Sequence, residues 1–373
     1  MLRRVLAPAT VALLTLLASV EATASAQRTF VATTGNDANV GANCSLVSPC
    51  RSFGAALGVT DPNGELVVVD SGGYGRVTIN QSIAITAPAG VYAGISTFSG
   101  ANGVDIAGTG IQVTLRGLAI NGQGGDSGIA IVNGSDVVIE RCTISNMAVA
   151  GIEVQVPAQT LRLSVADSVL SANHVGVSLQ GAAQHVTVAM VRTRIERSAH
   201  QAISAINNVD VHVADSIISG SSIGIGFAAI SALSSLAPVR LSIDATHVID
   251  NGSIGIQIIG SASGDIRATV TRSTIARNGS GLIAQVSAAG ARADLLLASS
   301  TVADNASIGV QSFSSAGSTH VVVSESTIVN NIGVGMAGTS GTFYTRSNNT
   351  LRGNNGAELS NQTSGTIILL GGS

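Results

Sequence analysis

The chain has 373 residues with 44 Gly, 6 Pro, no Trp, 45% hydrophobic residues and only 2% aromatic ones, so its interior has to be built from Val, Ile, Leu and Ala rather than from large rings. Charged residues make up 10% and the formal net charge is -3, which leaves no basic surface for a polyanion as dense as nucleic acid. All 18 cationic residues are Arg, which removes lysine Schiff-base and lysine general-base chemistry.

At the N-terminus, Arg3 and Arg4 precede the apolar run Val5 to Val20 and then Ala24-Ser25-Ala26. This is the three-part pattern of a secretory signal, so residues 1–26 are expected to be removed and the mature chain to start at Gln27. The protein is then secreted or periplasmic, and no later segment is long and apolar enough to span a membrane. Removal of Arg3, Arg4 and Glu21 leaves 16 positive against 20 negative side chains, a mildly acidic surface. Cys44 and Cys50 lie in one loop and are expected to pair in an oxidising compartment. Phe53, Ala56 and Leu57 follow at helical spacing, so residues 27–65 read as an N-terminal cap.

From about Leu115 onwards one pattern recurs: Ser/Thr, any residue, aliphatic, two residues, Asn, then a Gly-aliphatic pair. STIARNGSGL, STVADNASIGV and STIVNNIGVGM are clear copies. The aliphatic anchors are Leu118, Ile144, Leu170, Ile195, Ile218, Val248, Ile275, Val302, Ile328 and Leu351, and the nine steps between first and last average about 25.9 residues. Before each anchor lies an alternating β-branched run such as LRLSV or VDVHV, and a second short strand opens at the Gly-aliphatic pair. About three short strands per repeat and no helical stretch describe a coil of a β-solenoid. A leucine-rich repeat shares the period but needs a Leu ladder and a helical piece in each turn.

These coils resemble those of right-handed parallel β-helix proteins of the pectin-lyase-like superfamily. The segment from TFVATTGNDANVG through Gly73-Tyr74-Gly75 is similar to the cap and first coil of that group. The resemblance implies an all-β fold, a right-handed parallel β-helix of about 10–11 coils over residues 66–356, with 357–373 covering the far end. Ten coils stacked about 4.8 Å apart give a rod on the order of 50 Å long.

Aligned on the Ser/Thr column, the positions seven, five and three residues earlier are aliphatic and expected inside. The column itself contains Cys142, which therefore reads as a small ladder residue rather than a reactive thiol. The column Asn173, Asn251, Asn278, Asn305, Asn331 and Asn354 is expected to hold tight left-handed turns and to stack amides from coil to coil.

Six positions before Ser/Thr, the outward residues are Asp136, Arg162, Thr187, Asp210, Arg240, Arg267, Asp294 and His320. Opposite charges one coil apart should pair across the sheet. The local cluster with the most chemistry is Asp210, His212 and Asp215, with Arg240 or Arg192 to hold a substrate carboxylate and His212 as a base. The resemblance implies such sites on an outward sheet face, yet the chain lacks the Asn-Thr-Asp, Asp-Asp and Gly-His-Gly sets of pectin hydrolases and the Asp-Pro-His of uronate epimerases. No metal-ligand spacing and no cofactor motif appears. The expectation is a monomeric, non-catalytic solenoid that binds a polysaccharide or a surface protein, or is structural. The alternative is a polysaccharide lyase, glycoside hydrolase or uronate epimerase acting on acidic polysaccharide.

Overall fold

The computed structural model describes residues 25–155, 157, 159–221, 228–362 and 366–369. The expected leader therefore lies almost wholly outside the described residues. Among the described residues the chain forms three parallel sheets of 14, 12 and 12 strands, with one five-residue α-helix, Phe53–Leu57, and one 3₁₀ turn, Asp37–Ala42. The fold is a right-handed parallel β-helix of about 11 turns.

One coil shows the plan. Leu161–Ala166 lies in the first, 14-stranded sheet, Val169–Ser171 in the second and Val175–Gln180 in the third. The chain then returns to the first sheet as Val186–Val191, in register one coil on, with Leu161 opposite Val186 and Val165 opposite Met190. Each strand is too short to bury a face on its own, so its hydrogen bonds and its apolar side chains are both completed by the coils above and below.

The interior follows the aliphatic columns. Leu161, Val186, Val209, Val239 and Ile266 are buried, as are Ile139, Val165, Met190, Val213, Ile243 and Val270. The first anchor is displaced from the expected position, however. Ile144 pairs with Ile120, while Leu118 pairs with Ala93. Gly117 takes the left-handed turn with φ 74°, so Leu118 occupies the column that later coils fill with Cys142 and Ser168.

That column is a buried ladder: the N–H of Cys142 donates to Ser168 Oγ at 3.1 Å, Thr246 to Ser273 Oγ at 3.1 Å and Ser273 to Ser300 Oγ at 3.1 Å. The Asn column stacks likewise, though its turn role needs correcting. The left-handed residues are those just before it, Ala172, Asp250, Arg277, Asp304 and Asn330, with φ from 54° to 57°. The Asn side chains point inward and are buried. Asn278 Nδ2 donates to Asn305 Oδ1 at 3.2 Å, and Asn305 Nδ2 to Asn331 Oδ1 at 2.8 Å, while each N–H donates to the next amide oxygen. A Cβ at Gly309 would lie 2.6 Å from Gly335 O and 2.9 Å from Asn331 Nδ2, which explains the glycine that follows this turn.

Both ends continue the sheets. Ala26–Val31 pairs in parallel with Thr60–Val68, so the first sheet begins within the stretch read as a cap. Ala357–Gln362 and Thr366–Leu369 add to the third and first sheets, so the strands also run past residue 356. Ala228–Ser234 is a strand of the third sheet, and residues 222–227 just before it lie outside the described residues.

At the N-terminal end, Cys44 and Cys50 are joined, with Cα atoms 4.9 Å apart. The helix is capped by Ser52, and Phe53 packs against Tyr74 with ring centroids 5.4 Å apart. Asp70 ties the cap to the first coil: Thr33 N donates to Oδ1 at 2.8 Å and Thr33 Oγ1 to Oδ2 at 2.5 Å, and Tyr74 OH also donates to the carboxylate. Hydrogen bonds from Thr33 and then Tyr74 hold the Asp70 carboxyl below its ordinary value.

Two consequences are testable. Asn305→Ala deletes one rung and orphans the N–H of Asn278 beside a buried void, so the unfolding free energy should fall by about 2–4 kcal/mol in a denaturant titration. A carboxyl whose pKa is lowered on folding contributes stability that is complete above its unfolded value, about 3.9, and is lost as the pH falls through the folded value. Asp70→Asn should therefore flatten part of the acid limb of the stability curve, as read from unfolding midpoints below about pH 4.

Candidate functional site on the first sheet

The outward face of the first sheet carries the charged column in unbroken register. Asp136 lies opposite Arg162, Arg162 opposite Thr187, Thr187 opposite Asp210, Asp210 opposite Arg240, Arg240 opposite Arg267, Arg267 opposite Asp294 and Asp294 opposite His320. Alternation along each strand sends these side chains outward while their neighbours Val211, Leu241 and Leu295 fill the core.

The pairs are not alike. Arg162 meets Asp136 with two bonds, at 2.6 and 3.1 Å. Arg240 approaches Asp210 at 3.3 Å, and Arg267 reaches Asp294 only at 3.9 Å. Asp294 is instead held by Arg292 Nε at 2.8 Å and by His320 Nδ1 at 3.0 Å. The Arg240 and Arg267 side chains remain 61% and 66% exposed, so both guanidiniums have free N–H donors facing solvent.

Two adjoining shallow grooves share Arg267 and Thr269. One, of about 460 Å³, is lined by Thr187, Asp210, His212, Arg240, Ser242 and others. The larger, of about 600 Å³, is lined by Arg267, Arg292, Asp294, His320, Leu296 and Tyr344. Asp210, His212 and Arg240 of the sequence-derived cluster thus share one groove, with His185 Nε2 also 3.4 Å from Asp210.

Asp215 and Arg192 do not join them. Both occupy the left-handed turn at the edge of the sheet, with φ 50° and 48°. There Arg192 is bonded twice to Asp167, at 2.6 and 2.8 Å. The charged column lies at the start of the strand and the turn at its end, five residues on, which separates them.

What sequence reasoning missed is the cluster in the larger groove. His320 lies between Asp294 and Tyr344, with its ring centroid 6.0 Å from that of Tyr344. Asp294 and His320 belong to the charged column, whereas Tyr344 stands in the outward column of His212, Ser242, Thr269, Leu296 and Val322. Reading those two columns together would have found it. Asp294, 3.0 Å from His320 Nδ1, can orient the imidazole, which places His320 for proton transfer.

Among the described residues, no group of three or more His, Cys, Asp and Glu side chains is placed to hold a metal ion, and no helix is long and apolar enough to cross a membrane. Cys142 is buried between coils, and burial pushes its thiol up to about 11. It should resist alkylation in the native protein at neutral pH and react as one thiol equivalent after denaturation, with the disulfide intact; a thiol titration before and after unfolding checks this.

The family described as "right handed beta helix region" matches residues 128–295. A search of curated protein sequences finds no match. Among solved structures, the chain is similar to the A-module of the Azotobacter vinelandii mannuronan C-5 epimerase AlgE4, with a TM-score of 0.62 at 14% identity over 82% of this chain and 91% of that one. It is also similar to pectate lyase Pel9A, with a TM-score of 0.55 at 17% identity over 81% and 78%. The periplasmic alginate epimerase AlgG gives a TM-score of 0.56 at 10% identity over 82% and 77%. These likenesses show the right-handed parallel β-helix fold, consistent with the pectin-lyase-like superfamily that the coils resemble.

Proposed function

We propose that the protein is an exported β-helix, secreted or periplasmic, that uses the outward face of its first sheet to bind a linear acidic polysaccharide without transforming it. The observation that carries this reading is the pair Arg240 and Arg267, in register on consecutive coils, exposed, and each only loosely engaged by a carboxylate. Their backbones are about 4.8 Å apart, so the two guanidiniums can be offered together to the carboxylates of one polyuronate chain. A guanidinium presents a planar fork of donors that suits a carboxylate. The similar solved structures bear the names of enzymes of mannuronan, alginate and pectate, all acidic polysaccharides. A binding role is further supported by the separation of Arg192 and Asp215 from the groove of Asp210, His212 and Arg240, with Arg192 engaged by Asp167 at the sheet edge.

A second reading, a lyase, hydrolase or epimerase, is favoured by one specific observation: the Asp294–His320 pair beside Tyr344 in the larger groove. The two are separated by incubating the mature protein with polygalacturonate, alginate and a neutral glucan, while following retention together with unsaturated and reducing-end products. The expected result is retention on the two uronate polymers only, weakened about tenfold or more in Arg240→Ala/Arg267→Ala, with no product. Product that vanishes in His320→Gln would establish the second reading, and equal retention on the neutral glucan would overturn the first.

A further inference from the structure

The arginines of the two adjoining grooves are matched by carboxylates. Arg240, Arg267 and Arg292 face Asp210, Asp265 and Asp294: Asp210 is opposite Arg240, Arg267 opposite Asp294, and Asp265 opposite Arg292. At the sheet edge Asp244 is engaged by Arg272 and accepts from Thr271 Oγ1 at 2.6 Å. With its histidines neutral, this face therefore carries no net charge to attract a polyanion, despite its exposed guanidiniums.

Three histidines stand on the same face, each with a carboxylate at hand. His185 places Nδ1 3.0 Å from Asn208 Oδ1 and Nε2 3.4 Å from Asp210. His320 places Nδ1 3.0 Å from Asp294, in the groove lined by Arg267, Arg292 and Tyr344. His212 is exposed in the groove with Asp210 and Arg240, lies between the uncharged Ala189 and Ser242, and is close enough to Asp244 to act on its carboxyl. Half of the chain's 6 His are thus gathered on one face.

We infer that this face is a pH-gated binding surface: protonation of His185, His212 and His320 turns a charge-balanced groove into a cationic one that takes up an acidic polysaccharide, and deprotonation releases it. The inference rests on the proposed function and adds its regulation. The geometry provides two effects in the same direction. Each imidazolium adds a positive charge to a low, protein-walled groove, which raises the local concentration of a polyanion. Protonated His185 and His320 also strengthen their bonds to Asp210 and Asp294, so those carboxylates compete less for Arg240, Arg267 and Arg292. Histidine is the side chain whose charge changes between about pH 5 and 8, the range an exported protein meets.

The experiment measures binding of the full mature protein to dextran sulfate, whose charge is constant over this range, and to polygalacturonate, at about pH 5 and about pH 8 and fixed low ionic strength. Wild type should bind both polymers at least about tenfold more tightly at the lower pH, and His185→Gln/His212→Gln/His320→Gln should bind equally at both. Far-UV circular dichroism and the thermal midpoint confirm that the triple variant is folded; Arg240→Ala, with its histidines intact, should weaken binding at both pH values and still bind more tightly at the lower one. Equal binding by wild type at both pH values overturns the gate and leaves polysaccharide binding standing. A pH dependence that survives in the triple variant overturns the histidine assignment. Binding to neither polymer at either pH overturns the proposed function and the gate with it.

Discussion

Every coil of this molecule depends on its neighbours for hydrogen bonds that it cannot make alone. Strands as short as Val169–Ser171 have almost no local means of satisfying their backbone groups or covering an apolar face. The solution is one repeated distance, about 4.8 Å between strands, held in register through all three sheets. Once that register is fixed, any residue at a given place in one coil lies directly over the residue at the same place in the next. Side-chain chemistry is then organised in columns rather than in local clusters, and each column is selected for how well it stacks with itself.

Inside, self-stacking chemistry is straightforward for aliphatic side chains and more demanding for polar ones. The Ser/Thr and Asn columns succeed because a hydroxyl or an amide can receive a backbone N–H from one neighbouring coil while bonding another partner as well. Asn278 shows the full arrangement: its own N–H and Nδ2 both donate to Asn305 Oδ1, Nδ2 also reaches Val248 O at 3.0 Å, and its Oδ1 accepts from Asn251. Such a network must be complete to be favourable, which is why the columns persist over many consecutive coils. Cys142 can join the ladder because it is small and weakly polar, and its Sγ lies 3.6 Å from Leu115 O.

The same register made much of the fold legible in the sequence. A period of about 26 residues is a direct record of one turn, and alternation within each turn marks the strands. What escaped was anything offset from the column rule by a residue. Leu118 reads as an anchor by its aliphatic character, yet Gly117 shifts the turn and hands the anchor position to Ile120. Asn is a common left-handed residue, yet here the preceding exposed residues take that conformation, because the amide is needed in the interior. Asp215 follows Asp210 by five residues and Arg192 lies two coils before Arg240, but both fall in the left-handed turn that ends the strand, at the sheet edge. Tyr344 was missed for the opposite reason: it stands one outward column away from His320 in the alignment, and long side chains on one face reach across columns in space.

On the outer face, stacking like residues has a cost, because like charges one coil apart repel. Alternation of Asp and Arg relieves this, and tight pairs such as Arg162 with Asp136 leave a surface with little unspent charge. The sequence breaks that alternation at Arg240 and Arg267, where two guanidiniums stand on consecutive coils, and the repulsion between them is only partly met by carboxylates at 3.3 and 3.9 Å. The strained position in the charge pattern coincides with the meeting point of the two grooves and with two of the histidine–carboxylate pairs, His185 with Asp210 and His320 with Asp294. Under the proposed function, the carboxylates of a bound polyanion would complete the alternation that the protein leaves unfinished.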